Sequence, residues 1–123
     1  MDDIEVTIHF PGASAAAAND HVQELERVLR ENAANDDVDL ALSRRKERAD
    51  TQDIGTILVA TLSTPAFLAL AKGIATLIGQ TGSRIEIRAD GSVVASGDGI
   101  NKVDVARVVE ALKTTKAKHK SRR

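Results

Sequence analysis

The chain has 123 residues, of which 42% are hydrophobic and 28% are charged, the composition of a soluble globular domain. It contains two phenylalanines but no cysteine, tryptophan or tyrosine, which excludes disulfides, thiolate metal sites, cysteine nucleophiles and an aromatic platform for single-stranded nucleic acid. The formal charge is -1, yet six basic residues lie between Lys113 and Arg123, so residues 1–112 carry 11 basic and 18 acidic side chains and a net charge of -7.

The first part of the chain predicts a strand, a helix and a second strand. Residues 4–10 alternate apolar and polar side chains, the pattern of a half-buried strand, and Pro11 ends it. Residues 13–34 predict a helix with Ser14 as N-cap. Its buried stripe consists of Ala18, Val22, Leu25 and Leu29. Residues 38–42 alternate again and lead into a basic cluster, which comprises Arg44, Arg45, Lys46 and Arg48.

The most apolar segment, residues 54–79, carries one charge, Lys72, over a length that could cross a bilayer. Pro65 at its centre and the scattered threonines argue against a membrane span, and a helix pair divided at Pro65 is expected instead. Asp50 or Thr51 would cap the first of these helices, with Asp53 in its first turn. The first half also consists largely of β-forming residues, so a strand over 56–62 is the alternative to a helix. In the second helix Thr64 is the expected N-cap and Pro65 the first helical residue. Its apolar stripe comprises Phe67, Leu70, Ala71, Ile74, Leu77 and Ile78.

The last part of the chain predicts a hairpin and a helix. Residues 84–88 and 92–96 flank Asp90-Gly91, the sequence of a type I′ turn. Arg84, Glu86 and Arg88 would share the solvated face of this hairpin. Asn101 is the expected cap of a final helix, with Asp104 in its first turn. The buried stripe of that helix comprises Val105, Val108, Val109 and Leu112, and periodicity is lost after Lys113.

These elements predict one α+β domain over residues 1–112, followed by a basic, disordered tail at 113–123. Their order is strand, helix, strand, helix pair, hairpin and helix (β-α-β-αα-β-β-α). Amphipathic helices beside a small alternating sheet form a two-layer sandwich. The arrangement is roughly ferredoxin-like, with a helix added at the end.

No motif in the sequence indicates catalysis. His9, His21 and His119 lack metal-ligand spacing, and the acidic residues at 36–39 lack the glycine and the distal glutamate of a calcium loop. No phosphate-binding loop, nucleophile elbow or zinc-protease motif occurs. We therefore expect a non-enzymatic protein with no cofactor and no metal. The acidic opening Met1-Asp2-Asp3 has no apolar run of a signal peptide, so a cytoplasmic location is expected.

Several segments together resemble a known family. They are Ile8-His9-Phe10-Pro11-Gly12-Ala13-Ser14, the stretch from Asp53-Ile54-Gly55-Thr56 through Thr64-Pro65-Ala66, the helix at 69–75, the hairpin return at 90–97 and the helix at 105–112. Over residues 4–112 the chain resembles the effector-associated constant component family of bacterial conflict systems. It departs from that family at Leu77-Ile78, where members often carry an aromatic residue, and in its basic tail.

The resemblance implies a small non-catalytic component that accompanies an effector, such as a peptidase or a TIR-type enzyme, and couples sensing to it in anti-phage defence. The family supplies no catalytic residues. We therefore expect an adaptor that binds an effector or itself through protein surface. The residues expected at such contacts are Arg44, Arg45, Lys46, Arg48, Thr64, Arg84, Glu86 and Arg88.

Two alternatives remain open from the residues alone. The Lys113–Arg123 tail and the basic cluster could bind nucleic acid or a ribosome, although the acidic body does not favour this. A small ligand could bind in a pocket between sheet and helices, which would make the domain a sensor.

Overall fold

The computed structural model describes residues 4–49, 52–89, 92–98 and 104–121, with three helices and five strands among them. In chain order the elements are β1 (Ile4–His9), α1 (Ala15–Asp36), β2 (Leu40–Ala49), β3 (Gln52–Leu62), α2 (Ala66–Thr81), β4 (Ile85–Ala89), β5 (Ser92–Gly97) and α3 (Val105–Ser121).

The five strands form one antiparallel sheet in the order β2-β3-β1-β4-β5. Helix α1 connects β1 to β2 with β3 between them, and α2 connects β3 to β4 with β1 between them. These two interleaved units make the β-α-β-β-α-β arrangement of a ferredoxin-like fold. Strand β5 and helix α3 are added to it, so the predicted α+β sandwich is confirmed.

All three helices lie on one side of the sheet and enclose the core there. The strands contribute their alternate side chains, among them Val6, Ile8, Leu58 and Ile87, which are fully buried. The predicted stripes of α1 and α2 are buried in the same cluster, and so are Val108 and Leu112 of α3. A core made almost entirely of aliphatic side chains thus joins every helix to the sheet.

The start of α1 is as predicted, and its end is not. The Ser14 hydroxyl accepts a hydrogen bond from the backbone N–H of Ala17 at 3.1 Å, which caps the helix. The helix continues to Asp36 instead of stopping near Ala34, and Asp37 ends it in the left-handed conformation with φ of 54°. An aspartate tolerates the left-handed conformation better than most residues, so the chain can turn at Asp37 directly after the helix.

The first member of the predicted helix pair is a strand. Residues 54–62 belong to β3, as the alternative prediction held, and Asp53 lies in that strand and not in the first turn of a helix. Strand β3 lies between β2 and β1, so its backbone is paired on both edges, and consecutive residues from Ile57 to Ala60 are buried. A segment that is apolar throughout fits the spacing of a helix as well as that of a strand. Pairing with the neighbouring strands decides that this segment is a strand.

Two further predictions differ from the structure at the helix ends. Helix α2 has Pro65 as its N-cap, without a side-chain cap, and the Thr64 hydroxyl instead accepts a hydrogen bond from Lys116 Nζ. Helix α3 continues to Ser121, through the segment for which a disordered tail is predicted. Thr64 and Lys116 therefore join the start of α2 to the end of α3.

Some predictions concern residues outside the described ranges, namely the turn at Asp90-Gly91 and the caps at Asn101, Asp50 and Thr51. Asp104 is described, and its carboxylate accepts hydrogen bonds from the N–H groups of Ala106 and Arg107 at the start of α3. Among the described helices, none combines the length and the apolarity that crossing a membrane requires.

Candidate interaction surface

One side of the sheet is not covered by any described element, and we call it the open face. It presents the strand residues that alternate with those of the core. They are Glu5, Thr7 and His9 of β1, Ala41, Ser43 and Arg45 of β2, Ile57, Val59 and Thr61 of β3, Glu86 and Arg88 of β4, and Val93 and Ser96 of β5.

The strand register orders these residues into rows across the sheet. One complete row consists of Ser43, Val59, Thr7, Arg88 and Val93, each opposite the next on the neighbouring strand. Neighbours in such a row lie close enough for their side chains to touch. The open face is therefore a continuous surface contributed by all five strands.

The centre of the open face is apolar and its surroundings are polar. Ile57 and Val59 are only 4% and 8% exposed, although no described helix lies over them. Val93, on the outer strand β5, is 54% exposed and one of two large apolar side chains that stand out from the described surface. The apolar contact that this face offers to a partner is therefore Val93, with polar side chains around it.

The polar groups of the open face are organised by their own hydrogen bonds. Thr7 Oγ1 and His9 Nε2 lie 2.9 Å apart on the same strand. Arg88 donates to Glu86 Oε1 from Nη2 at 2.8 Å and from Nε at 3.1 Å. This paired geometry holds the Arg88 side chain in one conformation on the sheet. Less side-chain entropy is therefore lost when a partner binds there.

The structure places three predicted contact residues on the open face, while Arg44, Thr64 and Arg84 lie elsewhere in the fold. Glu86, Arg88 and Arg45 are on the open face. Lys46 and Arg48 belong to β2, but their side chains lie outside the described residues. Glu86 and Arg88 share one face of the hairpin, as predicted, whereas Arg84 precedes β4 and lines a cleft. A bulge shifts the register after Ile87, which lies opposite Ala95.

Arg44 faces the helices instead. Its Nε donates to Glu26 Oε1 of α1 at 2.7 Å, and Arg30 donates to the other carboxylate oxygen at 2.9 Å. The hydrogen bond from Arg30, together with that from Arg44, holds the pKa of Glu26 below its usual value, although partial burial acts in the opposite direction. Arg44 therefore has a partner within the fold, Glu26, just as Thr64 has Lys116.

Arg84 lies near a surface cleft at one end of the sheet. This cleft, of about 350 Å³, is lined by the β1–α1 connection, by His21 and by Ser83 and Arg84. His21 packs against Phe10 with ring centroids 5.3 Å apart, and its Nε2 lies 3.0 Å from the Ser83 hydroxyl. A second cleft of about 200 Å³ lies on the other side of Phe10 and Pro11, where Arg88 contributes to its lining.

Sequence reasoning missed the contributions of β1 and β3 to the open face. The sequence pattern offers Ile57 as part of a helix or of a strand, and it singles out neither Val59 nor Val93. The signal was available, because a strand that buries Leu58, Ala60 and Leu62 must turn the intervening residues to the other side. Only the pairing of β3 with β1 and β2 shows that this second side is a surface.

In the part of the chain that the structure describes, no three histidine, aspartate or glutamate side chains are grouped as metal ligands would be. No family model matches the chain, and no curated protein does.

Proposed function

We propose that this protein is a non-catalytic adaptor that binds an effector protein, of the peptidase or TIR type, through the open face in a bacterial conflict system. The observation that carries the proposal is the open face itself, where Val93 is 54% exposed opposite Arg88, which is ordered by its ion pair with Glu86. The resemblance to effector-associated components supports the choice of partner. The proposed location is the cytoplasm, where such an effector would act.

The surface fits a protein partner better than a nucleic acid. Arg88 is paired with Glu86, and Glu5 adds a further acid to the same face. A surface with balanced charge lacks the excess of cations that binds phosphates. Of the cations proposed for nucleic-acid binding, Arg44 is held by Glu26 and Lys116 by Thr64.

The proposal is tested by size-exclusion chromatography of the chain mixed with the product of the adjacent effector gene. We expect the two proteins to co-elute, and Arg88→Glu to abolish co-elution because it places two acidic side chains next to each other at the binding surface. Arg107→Glu, an exposed substitution on the helix side, is the matched control and should bind normally. Failure of the wild-type chain to co-elute, or equal binding by both variants, would contradict the proposal.

A second candidate function is small-ligand sensing at the paired clefts around Phe10 and Pro11. The observation in its favour is that Arg84 contributes to one cleft and Arg88 to the other, so each offers a cation to an anionic ligand. Thermal unfolding with a panel of nucleotides tests it, because a ligand that binds only the folded state raises Tm. An unchanged Tm across the panel would remove this candidate.

A further inference from the structure

Among the strands that the structure describes, β2 forms one edge of the sheet and pairs with β3 alone. An edge strand presents backbone N–H and C=O groups that another strand can pair with. With ten residues β2 is long for an edge, and its ladder with β3 is regular from Leu40 to Glu47, where a register shift occurs, whereas β5 has six residues and the β4–β5 ladder shifts near its middle. The β2 edge is thus the better template for an added strand.

The two halves of β2 differ in character. The first half, Leu40–Ser43, has no charge, and Leu40 and Leu42 are half-buried against the rim of the core together with Val38. The second half, residues 44–48, has four cations and one acid. Charged residues on an edge strand discourage pairing, so the first half is the part suited to it.

We infer that two copies of this chain pair antiparallel along the β2 edge, with Leu42 opposite Leu42 on the two-fold axis. In this register Leu40 lies opposite Arg44 of the second copy, and Asp39 lies opposite Arg45 of the second copy. Asp39 and Arg45 are both exposed in the single chain, so they are available to form two symmetric ion pairs.

Charge disfavours the registers in which the axis moves toward the basic half of β2. Moving the axis by one residue to Ser43 brings Asp39 opposite Glu47, and moving it to Arg44 brings two arginines face to face. Like charges directly opposite each other destabilise a strand pair. With the axis at Leu42, the paired segment spans residues 39–45 of each copy, and the residues after Arg45 project beyond it.

The pairing extends the core across the axis. Leu40 and Leu42 are on the helix side of the sheet, so both copies place them next to each other beneath the two α1 helices. The two sheets become one continuous ten-stranded sheet, whose open faces lie on the same side. This inference uses the sheet edge and not the open face, so it does not depend on the proposed function.

Charge reversal tests the inference in solution. Sedimentation velocity over a dilution series gives the dimer Kd of the wild-type chain and of Asp39→Arg, Arg45→Asp and the double variant. Each single reversal turns two attractions into two repulsions and should weaken the dimer about tenfold, while the double variant should restore it. Arg84→Asp, an exposed reversal remote from β2, is the control and should leave Kd unchanged.

A monomeric wild-type chain at every concentration would overturn the inference. So would single reversals that leave Kd unchanged, since the dimer would then use another surface.

Cross-linking provides a second measurement. Because the chain has no cysteine, Leu42→Cys introduces a single thiol, which the two-fold axis places opposite its counterpart at a separation that a disulfide can span. Oxidation should convert Leu42→Cys to a covalent dimer. The control Val93→Cys, which is exposed on the opposite edge strand, should remain largely monomeric. Equal cross-linking of the two variants would contradict the register.

Discussion

Glu26 is the residue that connects helix α1 to the β2 edge. Its carboxylate accepts hydrogen bonds from Arg30 on its own helix and from Arg44 on β2, and its side chain is only 15% exposed. Surface ion pairs usually contribute little to stability, but a shielded carboxylate with two guanidinium partners contributes more. This residue therefore offers a measurable link between ionisation and folding.

We predict that Glu26→Gln lowers the free energy of unfolding by about 1 kcal/mol at neutral pH, because both arginines lose a charged partner. The pKa of Glu26 is lowered in the folded state. Its contribution is therefore complete above the ordinary pKa of a glutamate and is lost as the pH falls through the lowered folded-state value.

Denaturant unfolding at a series of pH values provides the measurement, and the two proteins should converge in acid. Glu110→Gln is the matched control, since Glu110 is 75% exposed and 4.0 Å from its nearest cation. A stability difference for Glu26→Gln that is the same at every pH would contradict the electrostatic explanation.

At the scale of elements, the close approach of α1 to α2 depends on small residues of α2. Ala69 and Gly73 are buried against α1, where Asn32 donates to the Ala69 carbonyl at 3.4 Å. A Cβ on Gly73 would lie 2.5 Å from Leu29 Cδ2. These small residues allow tight internal packing, because Leu29 fills the space that a larger residue would need.

We predict that Gly73→Ala destabilises the protein by about 1 kcal/mol, because displacement of the fully buried Leu29 outweighs the helix propensity gained. Gly79→Ala, in the same helix, is the matched control. Nothing lies within 4 Å of its Cβ position, so it should stabilise the protein by up to about 1 kcal/mol. Thermal or denaturant unfolding of both variants gives the comparison, and a stabilised Gly73→Ala would show that Leu29 adjusts without cost.

At the scale of the whole molecule, α3 completes the helix layer beyond the ferredoxin-like part. It packs against α2 and β5, with Val108 and Leu112 in the common core, and Lys116 joins it to Thr64. The last helix is therefore an integral part of the domain and not an appendage.

We predict that Leu112→Ala lowers the free energy of unfolding by about 2–4 kcal/mol, because it leaves a cavity where a fully buried side chain lay. The transition should remain a single one that includes α3. Thr114→Ala, exposed on the same helix, is the control and should change stability by less than about 0.5 kcal/mol. A separate early transition for α3, measured by hydrogen exchange, would contradict its integration into the domain.

The elements with a single apolar stripe were determined by sequence alone. The stripes of α1 and α2, the Ser14 cap and the alternation in β1 and β4 are all present as predicted, because each depends on contacts or spacings within a few residues. The sequence alone also shows that no known catalytic motif is present. That the protein is not an enzyme remains a prediction.

Tertiary structure decided what local patterns leave ambiguous. Residues 54–62 became a strand because two neighbouring strands pair with its backbone on both edges, while the helices cover one of its faces. Arg44 and Arg45 are adjacent in sequence, yet one binds Glu26 and the other lies on the open face. Sheet pairing alone determines which surface remains uncovered and which edge remains unpaired, since both depend on residues far apart in the chain.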